Sequence, residues 1–111
     1  MRNGSDSNGP WYHGSNRLFD ELVSGSTVTP WRKLAAAFSH QPDLLSYDDD
    51  GAIWHNGTEP GYLYVIAEEI VIGRDIYPHP RTTMDENVEF LTRRPLRLRL
   101  IERLAAPPAQ P

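Results

Sequence analysis

His13 and Glu89 are the two residues whose neighbours single them out for chemistry. His13 closes the apolar segment Trp11-Tyr12-His13 and is followed at once by Gly14-Ser15. A strand ending there delivers an imidazole to a turn where Gly14 leaves the backbone open to close approach and Ser15 adds a hydroxyl. Glu89 stands directly before the apolar pair Phe90-Leu91 and upstream of Leu96-Arg97-Leu98-Arg99-Leu100. Glu86 is the competing carboxylate; Glu89 is favoured because the apolar run begins directly after it. Phe38, on the apolar side of a predicted helix, reads equally as core and as a ring facing a ligand. His40, His55 and His79 fall in or near loops and read as exposed polar residues. No two of the four histidines have the i, i+4 spacing of a helical metal pair, and no metal site is expected.

Composition narrows the chemistry further. The formal net charge is −4 and cysteine is absent. The first gives no general attraction to nucleic acid, and the second excludes a disulfide framework and thiolate metal ligands. Neither the Rossmann glycine pattern nor a P-loop occurs, so no Gly-rich cradle for phosphate is expected. Arg93, Arg94, Arg97, Arg99 and Arg103 hold five of the eleven basic residues. They read first as an exposed strand face whose charges discourage edge pairing, and second as a surface for nucleic acid or an acidic target.

The elements that must position these residues follow from periodicity and turn chemistry. A chain of 111 residues is one domain's worth, and its ten Pro and eight Gly point to short strands joined by turns. Residues 1–10 are expected to be disordered, 11–104 to form a single domain, and 105–111 to be a Pro-rich tail. Strands are predicted at 11–13, 26–29, 52–54, 62–67, 88–91 and 96–104, with 68–75 as a continuation of the fourth. Leu18, Phe19 and Leu22 have helical spacing. Thr29 is the expected N-cap of a helix over 30–39, with Pro30 at its first position. Residues 40–51 and 77–87 read as loops, and Asn56-Gly57 as a hairpin turn between the third and fourth strands. The class is α+β with more strand than helix. No apolar run approaches the ~20 residues of a membrane span and no signal peptide is visible, so a cytoplasmic protein with no membrane partner is expected.

Taken in order, the motifs resemble those of the ADP-ribosyltransferase superfamily. Tyr12-His13-Gly14-Ser15 is similar to its first motif. Gly25-Ser26-Thr27 followed by Phe38, eleven residues after Thr27, is similar to the second motif of poly(ADP-ribose) polymerases and diphtheria-toxin-like enzymes, with Thr27 where those carry Tyr. Glu89-Phe90-Leu91 resembles the strand bearing their catalytic Glu. Trp11–Ser15, Gly61–Ile66 and Phe90–Leu98 also resemble segments of rifampin ADP-ribosyltransferases. The resemblance implies a small split β-sheet fold with one or two short helices, and NAD as the substrate. It implies that Glu89 and His13 are catalytic, and that His13, Gly14, Ser15, Thr27 and Phe38 bind NAD. His13 would bond the adenosine-side ribose, the Gly14 backbone the nicotinamide amide, and Glu89 the nicotinamide-side ribose. Arg81, in the long loop, reads first as a solvated residue and second as a contact for the pyrophosphate. The activity implied is mono-ADP-ribosyl transfer, or NAD hydrolysis if water is the acceptor, with a non-catalytic module binding NAD, ADP-ribose or a nucleic-acid end as the alternative. The acceptor is left open among protein, nucleic acid and a small molecule such as a rifamycin.

Overall fold

The computed structural model describes residues 9–107. The disorder expected of residues 1–10 and the tail expected from 105 onward fall mainly on 1–8 and 108–111, outside the described residues. The elements run β1 (Tyr12–Ser15), β2 (Glu21–Leu22), β3 (Thr27–Val28), α1 (Arg32–Ser39), β4 (Leu45–Tyr47), β5 (Ile53–His55), β6 (Gly61–Ile66), β7 (Ile76–Pro78), β8 (Phe90–Thr92) and β9 (Leu96–Leu104). The protein is a small α+β domain, mostly sheet.

A four-stranded sheet has the order β1-β6-β9-β2, a three-stranded sheet the order β3-β8-β7, and β4-β5 form a hairpin. Neighbouring strands are antiparallel throughout. The two larger sheets touch at one backbone bridge, where Tyr12 and Thr29 exchange N–H···O bonds of 2.8 and 3.0 Å. β3 therefore has β1 at one side and β8 at the other.

Periodicity explains which faces close. In β9, Leu96 and Leu98 are buried while Arg97 and Arg99 stay exposed, and each buried leucine contributes about 1.5–3 kcal/mol. They join Trp11, Val28, Tyr64 and Phe90 in one core, in which Trp11 and Phe90 meet edge to face at 4.9 Å. A register shift at Leu63/Tyr64 puts two consecutive β6 side chains out of water. α1 covers β1 and β6, burying Leu34 and Ala35 completely. The helix lies so close that a Cβ on Gly14 would overlap the Ala35 carbonyl, and one on Gly61 would overlap Ser39. Both positions are glycine for the helix's sake, and Gly14 in particular admits backbone approach from α1.

Several local expectations are overturned by tertiary pairing. Residues 18–22 are not helical: Leu22 pairs with Leu96 in β2–β9 and is buried, while Leu18 and Phe19 stay exposed. The Tyr64 hydroxyl accepts the Phe19 N–H at 3.1 Å and donates to the Arg17 carbonyl at 2.7 Å, holding that stretch out of a helix. α1 starts at Arg32 with Trp31 as N-cap, not at Pro30. The Thr29 backbone is committed to the bridge with Tyr12, and its hydroxyl accepts the Trp31 N–H, at 3.1 Å.

The expected loop 40–51 contains β4, which pairs with β5 around Asp48, whose carboxylate accepts the Asp50 and Ala52 N–H groups at 3.0 Å each. Asn56-Gly57 is thus no hairpin turn; the Asn56 amide oxygen instead accepts the Asp43 and Leu44 N–H groups at 2.8 and 2.9 Å. Residues 68–75 do not prolong β6. They curl around Asp75, which is 1% exposed and is held by Arg74 at 2.8 Å, by Arg94 at 3.0 Å and by the Val71 N–H at 2.8 Å. Arg94 also pairs with Glu68 at 3.0 Å, so it belongs to a folded network and not to a free basic face. Tyr77 and Pro78 of the expected loop 77–87 belong to β7, and β8 begins at Phe90, one residue after Glu89. His40 is buried, bonding the Glu59 carbonyl at 2.6 Å and stacking on His55 at 5.5 Å.

Candidate functional site

Where β1, β3 and the entry to β8 meet the second half of α1, a cleft of about 360 Å³ opens. His13, Gly14, Thr27, Phe38 and Glu89 all line it, brought from four separate stretches of chain. Ser15 does not: it is buried, and its hydroxyl accepts the Arg17 N–H at 3.1 Å. Glu86 and Arg81 are exposed and outside the lining.

β1 and β3 together set the state of His13. Its Nδ1 lies 2.7 Å from the Thr27 carbonyl. A carbonyl only accepts, so the ring donates from Nδ1 and keeps Nε2 as an acceptor in its neutral form. Burial pushes the imidazole pKa below its ordinary 6.5, against the opposing pull of the Thr27 carbonyl. At pH 7 His13 is a neutral imidazole with Nε2 suited to receive a hydroxyl hydrogen.

Glu89 reaches the cleft from the other side. The β8 pairing of Phe90 with Val28 and Pro78 fixes its backbone, and its carbonyl accepts the His79 N–H at 2.9 Å. One carboxylate oxygen, Oε1, accepts the Thr82 hydroxyl at 2.6 Å. Thr82 in turn accepts the Met84 N–H at 3.1 Å, and the Asp85 N–H donates to the Tyr47 hydroxyl at 2.9 Å. Tyr47 packs edge-on against Trp31 at 5.1 Å. The β4–β5 hairpin and the start of α1 therefore hold the loop that orients Glu89.

Phe38 is half-buried, lies outside the main core and lines the cleft. The helix face that packs inward carries Leu34, Ala35, Ala37 and Ser39 instead. Sequence reasoning missed Tyr12, Thr29 and Gln41 in the lining. Tyr12 adjoins His13 in its motif, but a strand's alternation gives no signal that both neighbours reach one cleft. Gln41 follows the helix with φ +57°, a backbone conformation invisible in the sequence. Thr82 carried no signal of its own in a polar loop.

Among the described residues no cluster of three His, Cys, Asp or Glu is placed to hold a metal ion, and no Lys or Arg lines the cleft. The cleft is lined by one carboxylate, one neutral imidazole acceptor, hydroxyl-bearing residues and two aromatic residues. No helix among the described residues is long and apolar enough to cross a membrane. Compared with family models, curated proteins and solved structures, the chain has no match.

Proposed function

We propose that the protein is an NAD-dependent mono-ADP-ribosyltransferase with an ADP-ribosyltransferase-like split sheet. The observation that carries this reading is the meeting of His13, Thr27, Phe38 and Glu89 around one cleft. The division into two sheets joined at the Tyr12–Thr29 bridge supports the split-sheet part of it.

In this reaction the bond between nicotinamide nitrogen and ribose C1′ breaks. The electron pair leaves with nicotinamide, and the ribose acquires oxocarbenium character. Glu89 faces that positive charge and accepts a hydrogen bond from the neighbouring ribose hydroxyl. Thr82 occupies Oε1, which leaves Oε2 for this contact. Nε2 of His13 accepts from the adenosine-side ribose, the Gly14 backbone pairs with the nicotinamide amide, and Phe38 stacks on its ring. An acceptor nucleophile then bonds to C1′ and gives up its proton; water in that role makes the enzyme an NAD glycohydrolase. Protein, nucleic acid and small molecules such as a rifamycin are the acceptor classes to screen.

Incubation with NAD, scoring free nicotinamide, tests the reading. Glu89→Gln is expected to lower turnover by about 10²–10³ with substrate binding retained. Absence of nicotinamide release with every acceptor class refutes the enzyme. A second reading, a non-catalytic NAD-binding module, is favoured by Thr27, which supplies no ring opposite Phe38. NAD raising the melting temperature without nicotinamide release would select it.

A further inference from the structure

We infer that Phe19 seats the adenine of NAD: its ring, beside His13 and outside the cleft lining, stacks on the base while the cleft takes the nicotinamide end. The inference rests on the reading above, in which His13 holds the adenosine-side ribose, and adds the residue that recognises the base.

Size and connectivity come first. At about 360 Å³ the cleft stands at the small end of ligand pockets. It does not enclose a whole dinucleotide, so the adenine lies beyond the lining. His13 fixes the direction. Its Nδ1 is engaged by the Thr27 carbonyl, which leaves Nε2 for the adenosine-side ribose. A base borne on that sugar comes to lie against what flanks the imidazole. Two rings do so: Phe19, with its centroid 6.0 Å away, and Tyr64, at 6.5 Å. Tyr64 is buried, whereas Phe19 is 39% exposed and open to a ligand.

The way Phe19 is held is the second argument. Residues 16–20, between β1 and β2, belong to no strand or helix, yet their backbone is tied at several points. The Ser15 hydroxyl accepts the Arg17 N–H at 3.1 Å, and the Asp20 carbonyl accepts the Leu98 N–H at 2.9 Å. Between these, the Tyr64 hydroxyl uses one bond on the Arg17 carbonyl and one on the Phe19 N–H. Tyr64 stands opposite His13 in the β1–β6 register, so the strand pair that places the imidazole also places the Phe19 backbone. The Phe19 and Tyr64 rings meet at 5.3 Å, which supports the ring from behind and leaves little of its freedom to be lost on binding. A side chain serving the core would close inward, as Leu22 does at 2% exposure three residues on. Phe19 instead remains at the surface, beside exposed Leu18, as an apolar platform next to a group that binds a sugar. A purine face covers such a platform without requiring any further charge.

The test is calorimetric titration of the full chain with NAD, ADP-ribose and nicotinamide mononucleotide, the last of which lacks the adenosine. Wild type is expected to bind NAD more tightly than the mononucleotide. Phe19→Ala, with its melting temperature checked, is expected to weaken NAD and ADP-ribose by about tenfold, as the loss of one base–aromatic stack does, and to leave the mononucleotide unchanged. Phe19→Tyr keeps the ring and is expected to bind all three as wild type does. Unchanged affinity of Phe19→Ala for NAD and ADP-ribose overturns the inference and leaves the transferase reading standing. So does an equal loss for the mononucleotide, or a Phe19→Tyr variant as weak as the alanine one, since either makes the effect one of shape and not of stacking. A wild-type chain that binds the mononucleotide as tightly as NAD overturns it without any variant. If wild type binds none of the three, both readings fall together.

Discussion

Thr82→Val is expected to slow nicotinamide release by about tenfold while leaving NAD affinity nearly unchanged. Valine keeps the volume of threonine and removes the hydroxyl that donates to Glu89 at 2.6 Å. A hydrogen bond to a charged group is worth about 1.5–3 kcal/mol. Thr82 and Glu89 are both half-buried, so water partly replaces the lost donor and the lower end applies. Each 1.4 kcal/mol is about tenfold in rate. The effect falls on kcat because Glu89 acts on charge that appears only in the transition state. The hydroxyl also accepts the Met84 N–H, so valine loosens the loop as well. Thr82→Ser restores both bonds and separates this cause from a change of shape. Steady-state kinetics of the three proteins decide the matter. A Thr82→Val enzyme within about twofold of wild type, or a Ser variant as slow as the Val variant, refutes the positioning of Glu89 by Thr82.

Three further outcomes follow from the same structure. Asp75→Asn should destabilise the domain by about 2 kcal/mol, lowering the melting temperature by roughly 10 °C; this is below the usual loss for a broken buried pair because Arg74 and Arg94 are 60% and 41% exposed. The hydrogen bonds from Arg74, aided by the Val71 N–H and Arg94, hold the Asp75 carboxyl well below its ordinary 3.8. Its contribution is therefore full above pH 3.8 and is lost as pH falls below that, where the melting curves of wild type and Asn variant should converge. The His13 pKa lies below 6.5, so NAD affinity should be flat from pH 8 to 6.5 and weaken only at lower pH as the imidazole protonates; a midpoint above 6.5 contradicts a neutral acceptor. Phe38→Leu should cost about 1 kcal/mol of stability, since the ring is only half-buried, yet lower ligand affinity about tenfold at a temperature where both proteins are folded; equal affinities return the ring to a packing role.

Much of this arrangement was legible because it rests on local pattern. The alternation of Leu96–Leu100 with arginines marks β9, and Leu34, Ala35 and Phe38 mark a helix. His13 and Glu89 stood out in the sequence as polar residues beside apolar runs, and the fold brings both to one cleft. What escaped depends on partners far along the chain. Leu18, Phe19 and Leu22 have helical spacing, but five residues are too few to decide a period, and pairing of Leu22 with Leu96 prevailed. β4 was hidden because Leu45-Ser46-Tyr47 leads straight into an aspartate run; only the turn at Asp48 converts that run into a hairpin. Ser15 looked like a cleft hydroxyl from its place beside Gly14, yet it is buried and its hydroxyl is taken by the Arg17 N–H. Arg94 looked like one member of a basic stripe, since nothing local announces a buried Asp75 nineteen residues away.

The backbone pairing of β3 with β8 has a consequence for how the cleft comes into being. Ser26 and Thr92, bonded beside it, are 66 residues apart in sequence. Pairing over such distances is slow, on the order of milliseconds to seconds, because loop closure must precede the contacts that reward it. During synthesis, at roughly 5–20 residues per second, the His13 and Phe38 sides emerge first and wait for their carboxylate. Until Phe90–Thr92 docks on Thr27–Val28 there is half a cleft, with a ring and an imidazole but no charge to stabilise a cation. A nascent or partly folded chain therefore lacks the complete cleft, which arises together with the completed fold.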